Sequence, residues 1–272
     1  MVKRVIYFVF APLVVLSAVY LLFTQSQSQI SNDVKQTKVV AKPVVSEVPE
    51  ATFDNEDLPD FSQYVDVKKK KREFFGYLAP LVRQINKETL SLRSFVQSLD
   101  NPPTSSSEKE KLARIVKKFD IEPTLEFADL KSQLLLRVDA LPVELVLMQA
   151  ANESAWGTSR FALEANNLFG QWCFRKGCGL VPTGRPKGEK YEVRKFKHPV
   201  NSIRSYFNNL NTGHAYDDFR EIRLKQRQNN KPLNASKLAE GLLLYSIRRE
   251  AYVEELQAMI RINAKYIPKA GE

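Results

Sequence analysis

Leu141-Pro142-Val143-Glu144-Leu145-Val146-Leu147-Met148-Gln149-Ala150-Ala151-Asn152-Glu153 reads as a strong helix. Pro142 suits a first turn, and Val143, Leu147 and Ala150 or Ala151 form the apolar stripe. Glu153 closes the helix, and Ser154-Ala155-Trp156-Gly157 breaks it. A carboxyl at the end of an apolar helix, with Trp156 three residues on, can sit in a poorly solvated pocket. Desolvation raises its pKa toward the value that a general acid needs near neutral pH. The plainer reading is a surface glutamate at a helix end. The periodicity makes the surroundings helical too, so the fold class is mainly α (α+β).

On the N-terminal side, Leu78, Val82, Ile85, Leu92, Val96 and Leu99 recur at three- and four-residue steps, with Thr89 in the missing place. Pro80 near the start of this helix should mark a first turn or a kink. Asp100-Asn101-Pro102-Pro103 stops it. Further helices are expected from Ser107 to Lys118 and from Leu125 to Val138. The run Lys68-Lys69-Lys70-Lys71-Arg72 reads as a solvated helix start or linker end rather than a polyanion site.

On the C-terminal side, the segment after Trp172 holds Gly177, Gly179, Gly184 and Gly188 with Pro182 and Pro186, then alternates through Tyr191–Phe196. That is the pattern of a β-hairpin or flap over a groove. Asn167, Phe169 and Trp172 are candidates to line such a groove because aromatic faces suit sugar rings, although Phe169 equally suits a core. His198 and His214 show no partner pattern.

Lys3 and Arg4 precede an apolar run from Val5 to Phe23. As a helix it reaches about 28 Å, the thickness of a hydrocarbon core. No small-residue cleavage site follows, so an uncleaved single-pass anchor is expected. The remainder of the chain then lies outside the cytoplasm, which removes nucleic acid as a partner. Residues 24–60 lack a period that could bury a face and read as a linker. The organisation is an anchor over 1–23, a linker over 24–60, a helical extension over 61–134 and a catalytic domain over 135–268.

The 272 residues carry a net charge of +10. Residues 1–60 hold 5 basic and 7 acidic side chains, so the remainder carries +12 and favours an anionic polymer. Two histidines exclude a His-rich metal centre, and no cofactor is expected. Cys173 and Cys178 are the only cysteines. Outside the cytoplasm a disulfide between them is favoured over free thiols, and it would stiffen the base of the flap.

Ala151-Asn152-Glu153-Ser154-Ala155-Trp156-Gly157-Thr158-Ser159-Arg160-Phe161-Ala162 and Asn166-Asn167-Leu168-Phe169-Gly170 together resemble the signature of the glucosaminidase family of peptidoglycan hydrolases, in its Bax-like branch. The resemblance extends through Gly177–Pro182, Tyr206–Tyr216 and Leu243–Ser246, covering about residues 135–265. It implies a fold similar to goose-type and phage lysozymes, with two lobes and a groove. It implies cleavage of the β-1,4 bond on the reducing side of N-acetylglucosamine, with peptidoglycan strands as partner and the catalytic domain in the periplasm beyond the inner membrane. Glu153 stands at the position of the family's general acid. Glu192 fits a second family carboxylate, against the alternative of a cross-strand ion pair with Arg194 or Lys195. The substrate's own acetamido group is a rival nucleophile. Tyr252 matches a tyrosine near the acetamido pocket; it also suits a core, and Tyr245 is its rival. Trp156, Asn167, Phe169, Trp172 and Tyr245 are the expected substrate contacts. A lytic transglycosylase and a non-catalytic wall-binding scaffold remain alternatives. The amidase label sometimes given to relatives is chemically weak without a metal cluster or a Cys-His pair.

Overall fold

The computed structural model describes residues 57–269, all within one compact unit. The expected membrane helix over 5–23 and the linker up to residue 56 lie outside the described residues. No helix among the described residues is long and apolar enough to cross a membrane.

A short 3-10 turn, Phe61–Gln63, leads into α1, Val67–Ser98. Its 32 residues reach roughly 48 Å at 1.5 Å per residue. Asp66 caps it by accepting from the Lys68 amide at 2.8 Å, so the basic run occupies its first turns. The run is not fully solvated, because Lys70 and Lys71 are half-buried. Lys71 Nζ donates to Asn263 Oδ1 at 2.7 Å and lies 5.0 Å from the Trp156 ring centroid. Pro80 lies inside α1 instead of in its first turn. The helix starts earlier than the stripe from Leu78 suggests, because Phe74 and Phe75 extend the buried face toward the N-terminus.

Helices α2 (Ser106–Lys118) and α3 (Phe127–Arg137) follow at nearly the expected bounds. They close a small core with the far end of α1, built on Val96, Ile115, Phe119 and Leu134. The near end of α1 belongs to the main core, where Phe74, Phe75, Leu78 and Val82 join α4, Val143–Glu153. Pro142 is the residue before α4, not a member of its first turn. The expected stripe on α4 also widens: every side chain from Leu145 to Ala151 is buried. A helix with no polar face is a central one.

After α5 (Arg160–Ala165) comes a sheet of β1 (Trp172–Cys173), β2 (Gly179–Leu180) and β3 (Glu192–Arg194). The order is β1-β3-β2 with both pairings antiparallel, so three short strands stand where a hairpin was expected. Helices α6 (Pro199–Thr212), α7 (Asp217–Gln228), α8 (Ala235–Ala239) and α9 (Glu250–Asn263) complete the mainly helical fold.

One polar cluster fastens these parts. Asp139, between α3 and α4, is buried among Arg93 of α1 and Arg223 and Arg227 of α7. Arg227 holds it with two bonds, Nη2 to Oδ1 at 2.8 Å and Nε to Oδ2 at 3.1 Å. Arg93 also donates to the backbone carbonyls of Leu135 and Val138, and Arg223 to Leu136 O and to Asn211 Oδ1.

Candidate active site

The chain reverses abruptly after Glu153. Ala155, Trp156 and Gly157 all have positive φ, at 51°, 60° and 77°. Such a run is unfavourable for residues with a Cβ and persists only where the surroundings fix it. Here Ser154 Oγ donates to Ala150 O and accepts from the Gly157 amide at 2.8 Å. Trp156 turns toward α1, with its ring 5.7 Å from Phe74 and 5.3 Å from Phe75. These contacts make Trp156 an anchor for the turn.

Glu153 itself is half-buried. Burial raises its pKa above the usual carboxylate value; a hydrogen bond from Tyr252 opposes the rise, and the charge of Glu255 adds to it. The Tyr252 hydroxyl donates to Glu153 Oε1 at 3.0 Å and accepts from Gln149 Nε2 at 3.0 Å. Gln149 lies one turn before Glu153 on α4 and is fully buried. Its Oε1 accepts from the Tyr206 hydroxyl. Burial and the neighbouring Glu153 charge push the Tyr252 phenol far up, so it remains a donor.

Aromatic rings enclose this chain of bonds. Tyr245 stacks on Tyr252 at 5.5 Å, and its hydroxyl donates to Phe169 O at 3.3 Å. Phe169 is buried and stacks on Tyr206 at 4.0 Å, which is the core placement. Of the two rival tyrosines, Tyr252 therefore touches the acid, and Tyr245 supports the wall.

The Asn166–Gly170 loop supplies the other side. Asn167 was expected on the groove, but it is only 1% exposed and its amide is fully committed. Its Nδ2 donates to Gln171 O and Arg194 O, both at 2.9 Å, while Oδ1 accepts from the Gln171 amide at 3.0 Å. The loop thus brings Gly170 beside the acid. A Cβ on Gly170 would lie 4.0 Å from Glu153 Oε2.

On the flap, Cys173 and Cys178 are joined by a disulfide with Cα atoms 6.3 Å apart. Glu192 pairs across the ladder with Cys173. Its Oε1 and Oε2 accept from the Gly177 and Gly179 amides at 2.9 and 2.8 Å. These bonds hold its pKa below the usual range. Its partners are backbone amides rather than the cross-strand cations of the alternative reading, and Arg194 lies over the Phe196 ring at 5.0 Å. The sulfurs lie near this carboxylate, but they are bonded to each other and supply no thiolate for a metal. Trp172 is 55% exposed and stacks face to face on Tyr191 at 4.4 Å, an open aromatic platform beside β3.

Sequence reasoning missed Gln149, Tyr206, Gly170 and Tyr191. One signal was available, since Gln149 is a polar residue on an apolar helix, four positions before a candidate acid.

An acid with raised proton affinity and a phenol held against one of its oxygens suit glycan chemistry, and the flap carries an exposed aromatic platform. Residues 130–265 match the Glucosaminidase family, described as mannosyl-glycoprotein endo-beta-N-acetylglucosaminidase. The chain belongs to that family of peptidoglycan-related glycosidases, as a Bax-like member. It is 31% identical over 212 residues to Protein bax of Escherichia coli (strain K12), covering 77% of this chain and 76% of that protein. No solved structure matches the chain.

Proposed function

We propose that the protein is a peptidoglycan hydrolase that cleaves the β-1,4 bond on the reducing side of N-acetylglucosamine, with Glu153 as general acid. The observation that carries this reading is the half-buried Glu153 carboxyl, whose proton affinity is raised by burial, inside the segment that matches the family. Departure of a sugar alcohol requires a proton, and a carboxyl that stays protonated toward neutral pH supplies it. The groove of a lysozyme-like two-lobed fold receives the strand, and the Trp172–Tyr191 pair offers it a stacking surface.

Glu192 is the weaker candidate for the second reacting group. Both of its oxygens are engaged by backbone amides, which suits a carboxylate that shapes the flap. In this reading the substrate's acetamido group attacks the anomeric carbon, and water then opens the resulting intermediate. The same observation favours one rival, a lytic transglycosylase that needs a single acid and forms anhydro ends. Mass spectrometry of muropeptides separates the two. Products ending in reducing N-acetylglucosamine support the hydrolase, and anhydro-N-acetylmuramic ends reject it.

We further propose that the apolar run over 5–23 anchors the chain in the inner membrane with the catalytic domain in the periplasm. The flanking Lys3 and Arg4 and the length of the run support this topology. A C-terminal alkaline phosphatase fusion should be active and membrane-bound; an inactive fusion or a soluble, shortened form contradicts the anchor.

A further inference from the structure

The bonds that converge on Glu153 have a direction. Tyr206 is fully buried, and the acceptor that its hydroxyl reaches is Gln149 Oε1. A buried O–H without an acceptor costs about 1–3 kcal/mol, so this hydroxyl must donate. Donation by Tyr206 fixes the Gln149 amide, whose two ends both face hydroxyl groups and would otherwise be interchangeable. With Oε1 taken, Nε2 points at Tyr252 and donates to its oxygen. The phenolic proton of Tyr252 is then directed to Glu153 Oε1.

We infer that Tyr206 and Gln149 are positioning residues that act through Tyr252 to make Glu153 Oε1 an acceptor and to leave Oε2 as the oxygen that carries and delivers the acid's proton. Oε2 is the oxygen beside Gly170, where the missing side chain leaves room for the leaving-group oxygen of a glycan. The inference rests on the assignment of Glu153 as general acid and adds to it which atom gives the proton and what sets that choice. In the reaction, the Oε2–H bond breaks as the proton passes to the glycosidic oxygen, and the C–O bond electrons leave with that oxygen. The carboxylate that remains keeps its Tyr252 bond at Oε1. Without Tyr206 the amide is free to turn over. Gln149 Oε1 then accepts from Tyr252, and the Tyr252 oxygen becomes an acceptor for a proton on Glu153 Oε1, pointing away from the substrate.

Tyr206→Phe tests this in the full chain, since it keeps the ring that stacks on Phe169 and removes only the hydroxyl. Two quantities are read. The first is the titration of the Glu153 side-chain carbon by NMR, which needs no activity. It should move to higher pH, because the protonated acid gains an acceptor. The second is turnover on purified peptidoglycan, where kcat should fall about 10- to 100-fold with KM unchanged, the scale of a misdirected reacting group. The combination of more protonated acid and slower turnover is not what a loosened core produces. Adding Tyr252→Phe removes the inward acceptor, so the double variant should turn over faster than Tyr206→Phe alone. An unmoved Glu153 titration in Tyr206→Phe, or a double variant slower than the single one, overturns the relay. Absence of activity in the unmodified protein would instead count against the hydrolase reading, and the titration would still judge the relay.

Discussion

Phe61 occupies the space that a side chain on Gly157 would need: a Cβ there would lie 2.6 Å from Phe61 Cδ2. The 3-10 turn before α1 therefore locks the reversal that ends α4 at Glu153. Gly157 also has φ of 77°, where a Cβ adds its own strain. Gly157→Ala should lower stability by about 2–5 kcal/mol, the sum of backbone strain and overpacking. Urea denaturation measures this, and Phe61→Leu in the same chain should restore part of the loss. Equal stability of Gly157→Ala and the parent would show that the turn is not held by this contact.

The raised pKa of Glu153 makes a linked prediction about pH. Its folded value lies above the unfolded one, so the folded chain holds the proton more tightly. That contribution to stability is complete below the unfolded pKa and is lost as pH rises through the folded value. Glu153→Gln keeps the shape without the charge. Its melting temperature relative to the parent should rise from acid to alkaline pH, and a constant difference contradicts the placement. The hydrolytic rate of the parent should fall over the same interval, as the acid loses its proton.

Asp139 is the anion on which Arg93, Arg223 and Arg227 converge. Burial pulls the Arg223 guanidinium down to about 10, and the Asp139 charge opposes the fall. Removing one partner of such a cluster leaves buried charge uncompensated, at about 3–5 kcal/mol. Asp139→Asn should lose stability on that scale in chemical denaturation. A loss under 1 kcal/mol, the range of about 0–1 kcal/mol for surface pairs, would mean that solvent reaches the cluster.

Glu192 and the disulfide share one short loop, because the carboxylate accepts from Gly177 and Gly179 on either side of Cys178. Glu192→Gln should therefore speed reduction of Cys173–Cys178 by dithiothreitol. If Glu192 only shapes the flap, glycan cleavage should fall by no more than about tenfold, short of the 10²–10⁴ typical of an acid–base group. A loss in the larger range, with an unchanged reduction rate, would make Glu192 a reacting group.

The parts of the fold that were legible in sequence are those governed by period. The stripe from Leu78 to Leu99, the Ser107–Lys118 helix and the end of α4 at Glu153 all follow from local spacing. The true start of α1 was hidden because five consecutive basic residues mask the buried Phe74 and Phe75 that follow. Nothing in the sequence marks Arg93, Arg223 and Arg227 as partners of one anion, since charge is normally solvated and Asp139 is distant from them in sequence. The relay escaped notice for the same reason, with Tyr206 and Tyr252 lying 57 and 103 positions from Gln149. Proximity in sequence does not reveal that three left-handed residues turn Trp156 toward α1.

Turnover of purified Glu153→Gln on isolated peptidoglycan tests most directly whether the Glu153 proton departs with the leaving sugar. Glutamine retains the reach toward Tyr252 and loses the transferable proton. Muropeptide release should fall by about 10²–10⁴, the range for a general acid, while the variant still folds and sediments with the wall polymer. Release at the parent's rate would contradict the account.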